Sequence, residues 1–432
     1  MVRPLNFLQV TTFYPPYSFG GDGISVQRLC HLLGDAGHDV DVVHCIDSYR
    51  ALSSAAPRMQ STGHERVTVH GLLSGYGRIS PLLTQQTGLP ILKRRRLREI
   101  LLSKPYDVVH FHNVSLIGPA VLKIAAKLSN AVILYTMREH WLICPMHVLW
   151  KFNSHPCDRP ECLRCMIRAR RPPALWRYTR LLEQTCREVD QFLAPSRFTA
   201  NMHASRGFLR PVAHLASFVE RDDGAAAHGT RPHQRPYCLF AGRLEAIKGA
   251  QTLISIWNRV KNVDLLIAGT GTFELRLRTL ANDNPRIRFL GQLSQERLAP
   301  YYSHALALIV PTLTYEVFPL VTLESFARKT PVIGRELGGI PEAIRESGGG
   351  YVYRTDDELI EAITAISGRP ELRRTLGENG FRGFEKKWSP EVHLANYFAM
   401  LEQVSVRKLG TVPWRTPRAN KEKGGQSFDD VE

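Results

Sequence analysis

The chain has no run of about 18 or more apolar residues, so it carries no ordinary membrane-spanning helix. Its opening, MVRPLNFLQVTTFYPPY, lacks the apolar core and small-residue cleavage site of a secretory signal and reads as a first strand. A cytoplasmic protein is therefore expected. No zinc-finger, helix-turn-helix or RNA-recognition signature is present, which disfavours nucleic acid as a partner. Acidic residues are scarce, 40 against 56 Lys and Arg, leaving a net charge of +16. The shortage is uneven: residues 1–215 hold 27 basic and 14 acidic residues, the remainder 29 and 26. A positive first half points to partners with negative charge, either a membrane surface or a phosphorylated acceptor.

What is present describes an ordinary globular protein. Hydrophobic residues make up 44% and charged residues 22%. A chain of 432 residues is long enough for two domains. Strand-like and helix-like segments alternate along it, which predicts parallel sheets wound with helices on both faces.

The stretch Pro311–Ile340, PTLTYEVFPLVTLESFARKTPVIGRELGGI, places two carboxylates, Glu316 and Glu324, eight positions apart. The apolar run Ala305–Pro311 before them reads as a buried parallel strand. Pro319 can open a helix, because its missing N–H is needed least in the first turn. Leu320, Leu323 and Ala327 then share one face. Glu316 falls in the loop and Glu324 more than a turn into the helix. Loop and helix start offer backbone N–H groups to an anion. Two acceptors flanking such a place suit a ligand with both phosphate and hydroxyls. The plain alternative is two surface glutamates near a helix start, and a second stretch weakens it. In AGRLEAIKG (241–249), Arg243 and Lys248 stand between glycines 242 and 249, just past the strand Tyr237–Ala241. Glycine lets backbone approach a ligand closely, and Arg plus Lys supply a fork and a point charge for a diphosphate.

With Gly269-Thr270-Gly271 between them, GRLxxxKG and Glu-x7-Glu resemble the retaining glycosyltransferases of family 4. The match in order and spacing spans the C-terminal half, and the coarser pattern of the N-terminal half agrees. The resemblance implies an α/β protein of the GT-B fold: two doubly wound Rossmann-like domains facing across a cleft. It implies transfer of a hexose-type sugar, with retention, from a UDP- or GDP-sugar to a glycan or lipid-linked acceptor, with no cofactor required for catalysis. By position, Arg243 and Lys248 would hold the diphosphate, Glu316 would face the donor sugar and Glu324 the ribose hydroxyls. Phe318 and Gly269 would complete the donor side. Val317-Phe318-Pro319 stands where the family often has Gly-Phe-Gly, so one N–H donor is missing there. Gly20 and Gly21, in the loop after the first strand, would lie against donor and acceptor; Gly20–Gly23 is not GxGxxG, which excludes a dinucleotide fingerprint. After the strand Ala131–Thr136 many relatives have His-Asp. Aligned on Trp141 and Cys144-Pro145, this chain has Arg138-Glu139 there, and His140 is two places late. Arginine cannot serve as a base, but it can steady developing negative charge, so Arg138 joins Glu316 as a catalytic candidate. The competing reading is a catalytically degenerate GT-B protein that binds a membrane or nucleic acid through its basic half.

The expected organisation is an N-terminal acceptor-binding domain, 1–218, with a Cys-rich insert, 141–173. A linker, 219–236, leads to a nucleotide-sugar-binding domain, 237–388. A helix, 389–407, crosses back to the first domain, and a tail, 408–432, is expected to lack order. Cys144, Cys157, Cys162 and Cys165 put four of the eight cysteines in 22 residues. In a reducing compartment such a cluster favours a metal over disulfides, and four thiolates suit a structural zinc; the alternative is four reduced thiols. Cys30, Cys45, Cys186 and Cys238 read as small buried apolar residues. Basic residues interleaved with aliphatics in 84–104, around Lys93-Arg94-Arg95-Arg96-Leu97-Arg98, and in Arg164–Arg180 could rest on the inner face of the cytoplasmic membrane. The alternative is a solvated helix face.

Overall fold

The computed structural model describes residues 3–53, 56–57, 62–221 and 231–415. The first sheet is built from β1 (Asn6–Thr11), β2 (Asp39–Cys45), β3 (Val67–Leu72), β4 (Val108–Asn113) and β5 (Val132–Thr136). An insert with the short antiparallel pair β6 (Trp150–Lys151) and β7 (His155–Pro156) follows, then β8 (Gln191–Ala194) and β9 (Val212–His214) close the sheet. Its order is β3-β2-β1-β4-β5-β8-β9, with every pair parallel. Alternate residues of these apolar strands enter different cores: Leu8, Val10, Val109 and Phe111 pack on one face, and Phe7, Val40, Val42 and Val108 on the other. That is the pattern of a sheet covered by helices on both sides.

The second sheet holds β10 (Tyr237–Ala241), β11 (Asp264–Ala268), β12 (Ile287–Gly291), β13 (Ala307–Val310), β14 (Val332–Arg335) and β15 (Gly350–Tyr353). The order is β12-β11-β10-β13-β14-β15, again all parallel. Cys238 and Phe240 face one core, Tyr237, Leu239 and Ala241 the other. Phe218 packs in the first domain and the next residue, Val219, in the second. Most of the linker beyond it, 222–230, lies outside the described residues.

Several elements had no forecast, among them β3, the β6–β7 pair and the helix Cys162–Arg168. The edge strand β3 is half-exposed, and its VTVHGL carries too little apolar signal to separate it from a loop. The helices Ile46–Leu52 and Ile79–Thr87 flank it. The expected tail needs correction. The last helix runs Pro390–Leu409, capped at its start by the Ser389 hydroxyl and at its end by Gly410 at φ 72°. Beyond it the chain stays ordered to Arg415, because Trp414 is 2% exposed and packs with Leu5, Phe7, Tyr397 and Leu401. Residues 416–432 of the expected tail lie outside the described residues.

Candidate active site

The carboxyl ends of both sheets meet at one seam. From the first domain, the loop after β1 leads to Gly20, where the helix Gly21–Asp35 begins. A Cβ placed on Gly20 would lie 3.4 Å from Nε of Arg243, and one on Gly21 would lie 3.7 Å from Leu320. The glycines thus sit against the two second-domain stretches singled out in the sequence.

The second domain shapes its side of the seam by close backbone packing. Gly269, at φ 136°, has its would-be Cβ 1.9 Å from the Gly242 carbonyl oxygen. Gly249, at φ 78°, stands equally tight against the Pro311 carbonyl. No side chain fits at either position, so the loops after β10, β11 and β13 interlock. This interlock holds Lys248 beside Glu316, and the two form a partly buried ion pair. Gly339 N–H donates to the Glu316 carbonyl at 2.7 Å, backing the glutamate from the other side. Pro319 is the N-cap of the helix Leu320–Phe326 rather than its first residue. Glu324, in that helix, accepts from Tyr302 Oη at 3.1 Å. Phe318 stays partly buried among the second domain's side chains, its ring 6.3 Å from that of Trp388.

First-domain groups grip this loop on both sides of Glu316. His140 Nε2 donates to the Tyr315 carbonyl at 3.0 Å, and the hydroxyls of Ser196 and Thr199 donate to the Val317 carbonyl at 2.6 and 3.2 Å. Burial holds His140 at about 3, with His203 pushing the same way, so it stays neutral. Further along the seam, the amides of Arg197 and Phe198 donate to the two carboxylate oxygens of Glu342 at 2.9 and 3.0 Å. Arg28, only 6% exposed on the first domain's opening helix, pairs with Glu324 at 3.0 Å.

Arg138 lies at the carboxyl end of β5, behind the glycine loop. Its Nε donates to His112 Nδ1 at 3.1 Å, and His112 Nε2 faces Gln9 Oε1 at 2.7 Å. Since arginine only donates, Nδ1 is the acceptor and Nε2 carries the proton. Burial keeps both His112 and its neighbour His110 far below the usual histidine range. Neither is a titrating base; together they form a neutral brace for the guanidinium. Two carboxylates join Arg138. Asp22, in the first turn of the opening helix, accepts from Asn113 at 3.4 Å, and Glu139 pairs with His147 at 2.7 Å. Asp22 is pushed up to about 6, first by burial and then by Glu139, with Arg138 opposing. Asp22 Oδ1 and Glu139 Oε1 are buried without a hydrogen-bond partner, which leaves two unsatisfied acceptors beside Arg138.

Sequence reasoning missed Asp22, Arg28 and Tyr302. Asp22 had a usable signal, a carboxylate directly after Gly-Gly at a helix start. Arg28 had none, because its partner is 296 residues away. The four clustered cysteines are all free thiols. Burial raises Cys144 to about 11, and Cys157 and Cys162 are close enough to add to that. No three His, Cys, Asp or Glu side chains among the described residues are gathered as a metal site, so the expected zinc has no preassembled ligand set.

Comparison with known proteins now defines the class. A model of the glycosyl transferases group 1 matches residues 235–368, and a model of glycosyltransferase family 4 matches residues 19–219. A D-inositol 3-phosphate glycosyltransferase of Pseudarthrobacter chlorophenolicus is 26% identical over 422 residues, covering 91% of this chain and 94% of the relative. Among solved structures, sucrose-phosphate synthase from Thermosynechococcus elongatus superposes with a TM-score of 0.72 at 20% identity, covering 93% of this chain and all of that one. Anabaena HepE in complex with UDP superposes at 0.65 and 14% identity, over 92% of this chain and all of that one. The fold is therefore GT-B. The chain belongs to the group 1, family 4 glycosyltransferases.

Proposed function

We propose that the protein transfers a hexose, with retention, from a nucleotide-sugar donor to a hydroxyl of a glycan or lipid-linked acceptor. The observation that carries this reading is the convergence at one seam of Arg243, the Lys248–Glu316 pair and the Gly20–Gly21 backbone. Arg243 and Lys248 take the diphosphate, whose negative charge grows as the anomeric C–O bond breaks. Glu316, held by Lys248 and the Gly339 amide, bonds hydroxyls of the donor sugar. The acceptor oxygen attacks the same face of the anomeric carbon from which the diphosphate leaves. Its proton passes to the departing phosphate oxygen, so no histidine base is needed. Arg138 steadies charge on the acceptor side, with Asp22 and Glu139 beside it setting the local field. Closure over the donor excludes water that would otherwise hydrolyse it.

The test is thermal stabilisation by UDP, GDP, ADP and their common sugar conjugates. UDP-sugars come first, because a structural neighbour was solved with UDP. A ligand at about 100 times its Kd stabilises by about 2.7 kcal/mol. The expected result is a clear shift with one nucleotide series, lost in Lys248→Ala. No shift with any of them, in folded protein, refutes the donor assignment. The anomeric configuration of the product, read by NMR, decides retention.

A further inference from the structure

Two segments of the first domain, 73–98 and 162–180, contain no Asp or Glu, yet they carry six Arg or Lys each. They are far apart in sequence, and the fold packs them together. Trp176 Nε1 donates to the Gln85 carbonyl at 2.8 Å, and Gln85 Nε2 donates to the Pro172 carbonyl at 2.6 Å. Two of the cations are withdrawn from the surface. Lys93 is 2% exposed and bonds Thr84 Oγ1 at 2.9 Å, and Arg177 lies over the rings of Trp141 and Trp176. The other ten are exposed arginines, among them Arg78, Arg94, Arg95, Arg168 and Arg171.

The same two segments hold ten of the 18 exposed large hydrophobic side chains found among the described residues. Tyr76, Ile79, Ile167, Leu175 and Tyr178 are each 56–65% exposed. Single exposed apolar residues need no explanation; a group of them interleaved with ten exposed arginines, three of which (Arg95, Arg96 and Arg164) pair with the flanking Glu99 and Glu161, does. Short helices that present aliphatic and aromatic tips among arginines match the boundary of an anionic bilayer. The tips enter the acyl region while the guanidinium groups meet lipid phosphates. Nucleic acid is the weaker fit, because exposed aliphatics gain nothing on a phosphate backbone.

We propose that this face docks the protein on an anionic lipid bilayer. Leu73 follows the carboxyl end of β3, the end of the sheet that also carries Gly20–Asp22 and Arg138–Glu139. Docking therefore sets the acceptor side of the seam next to the membrane, where a lipid-linked acceptor would be presented.

The test is co-sedimentation of the full chain with vesicles of phosphatidylcholine, alone or with about 30% phosphatidylglycerol, at low and high salt. Binding is expected on the anionic vesicles only, and salt weakens it. Neutralising Arg94, Arg95 and Arg96 to Gln weakens it by about 100-fold, at about five-fold per charge. Ile79→Ser with Tyr178→Ser weakens it at unchanged charge. The nucleotide thermal shift should stay the same in both variants, which separates this surface from the donor site. The proposal is overturned by equal binding to neutral vesicles, by absence of binding to anionic ones, or by variants that bind like the parent. It is also overturned if the face retains single-stranded RNA while ignoring vesicles.

Discussion

Arg28→Met tests how the two domains are held together. The Arg28–Glu324 pair spans the seam at 3.0 Å, with the two side chains 6% and 16% exposed. At an effective dielectric of about 20, that separation gives a gross attraction of about 5 kcal/mol, much of it offset by desolvation. Removing one member of a buried pair costs about 3–5 kcal/mol, because the other charge is stranded. Glu324 would keep its bond from Tyr302 and some solvent contact, so the cost belongs at the low end, about 3 kcal/mol. The amides of Arg197 and Phe198 report on it, because both donate to Glu342 across the same seam. If opening the seam exposes them, their hydrogen exchange should quicken by about 150-fold in Arg28→Met, as 1.4 kcal/mol is a factor of ten. The double variant with Glu324→Gln should cost less than the sum of the singles by about 1–2 kcal/mol. Exchange within about three-fold of the parent, or strict additivity, refutes the claim that this pair closes the domains.

Other outcomes can be stated briefly. A carboxyl whose pKa is raised on folding binds its proton more tightly in the folded chain, so Asp22 should make stability fall as pH rises from about 4 to about 6, and the loss persists above. Asp22→Asn should therefore match the parent near pH 4 and exceed it by about 1–3 kcal/mol at pH 7 in thermal melts. Gly269→Ala puts a methyl group into the Gly242 carbonyl, and should lower stability by about 3 kcal/mol and abolish nucleotide binding by calorimetry. Trp414→Ala empties a filled site in the first domain's core and should cost about 3 kcal/mol in urea unfolding, with little change in donor affinity.

Much of the fold was legible because its strands are buried on both faces and read as plain apolar runs. β5, β10 and β13 were located to within two residues on that basis. Edge strand β3 was not, since exposure removes the signal. Trp414 was misjudged because a lone aromatic in a polar stretch has no periodicity to mark it. At the site, motif spacing found the second-domain residues, which come from short loops after strands. It could not find Arg28, nor the role of His140, because those depend on how one domain meets the other. The glycines were read as room for a ligand. Gly249 and Gly269 turn out to make room for backbone, which sequence cannot distinguish from the first case.

The helix Pro390–Leu409 and Trp414 belong to the first domain's core, so that domain is assembled from two separated pieces of chain, with the second sheet spliced between them. This ordering has a consequence during synthesis. The second sheet and its helices occupy one contiguous stretch and can fold as soon as that stretch has left the ribosome. The first domain, although made earlier, must wait with Leu5, Phe7 and Leu29 uncovered until Tyr397, Leu401 and Trp414 arrive. The early half is thus the late folder, and its open flank is where a chaperone would be needed.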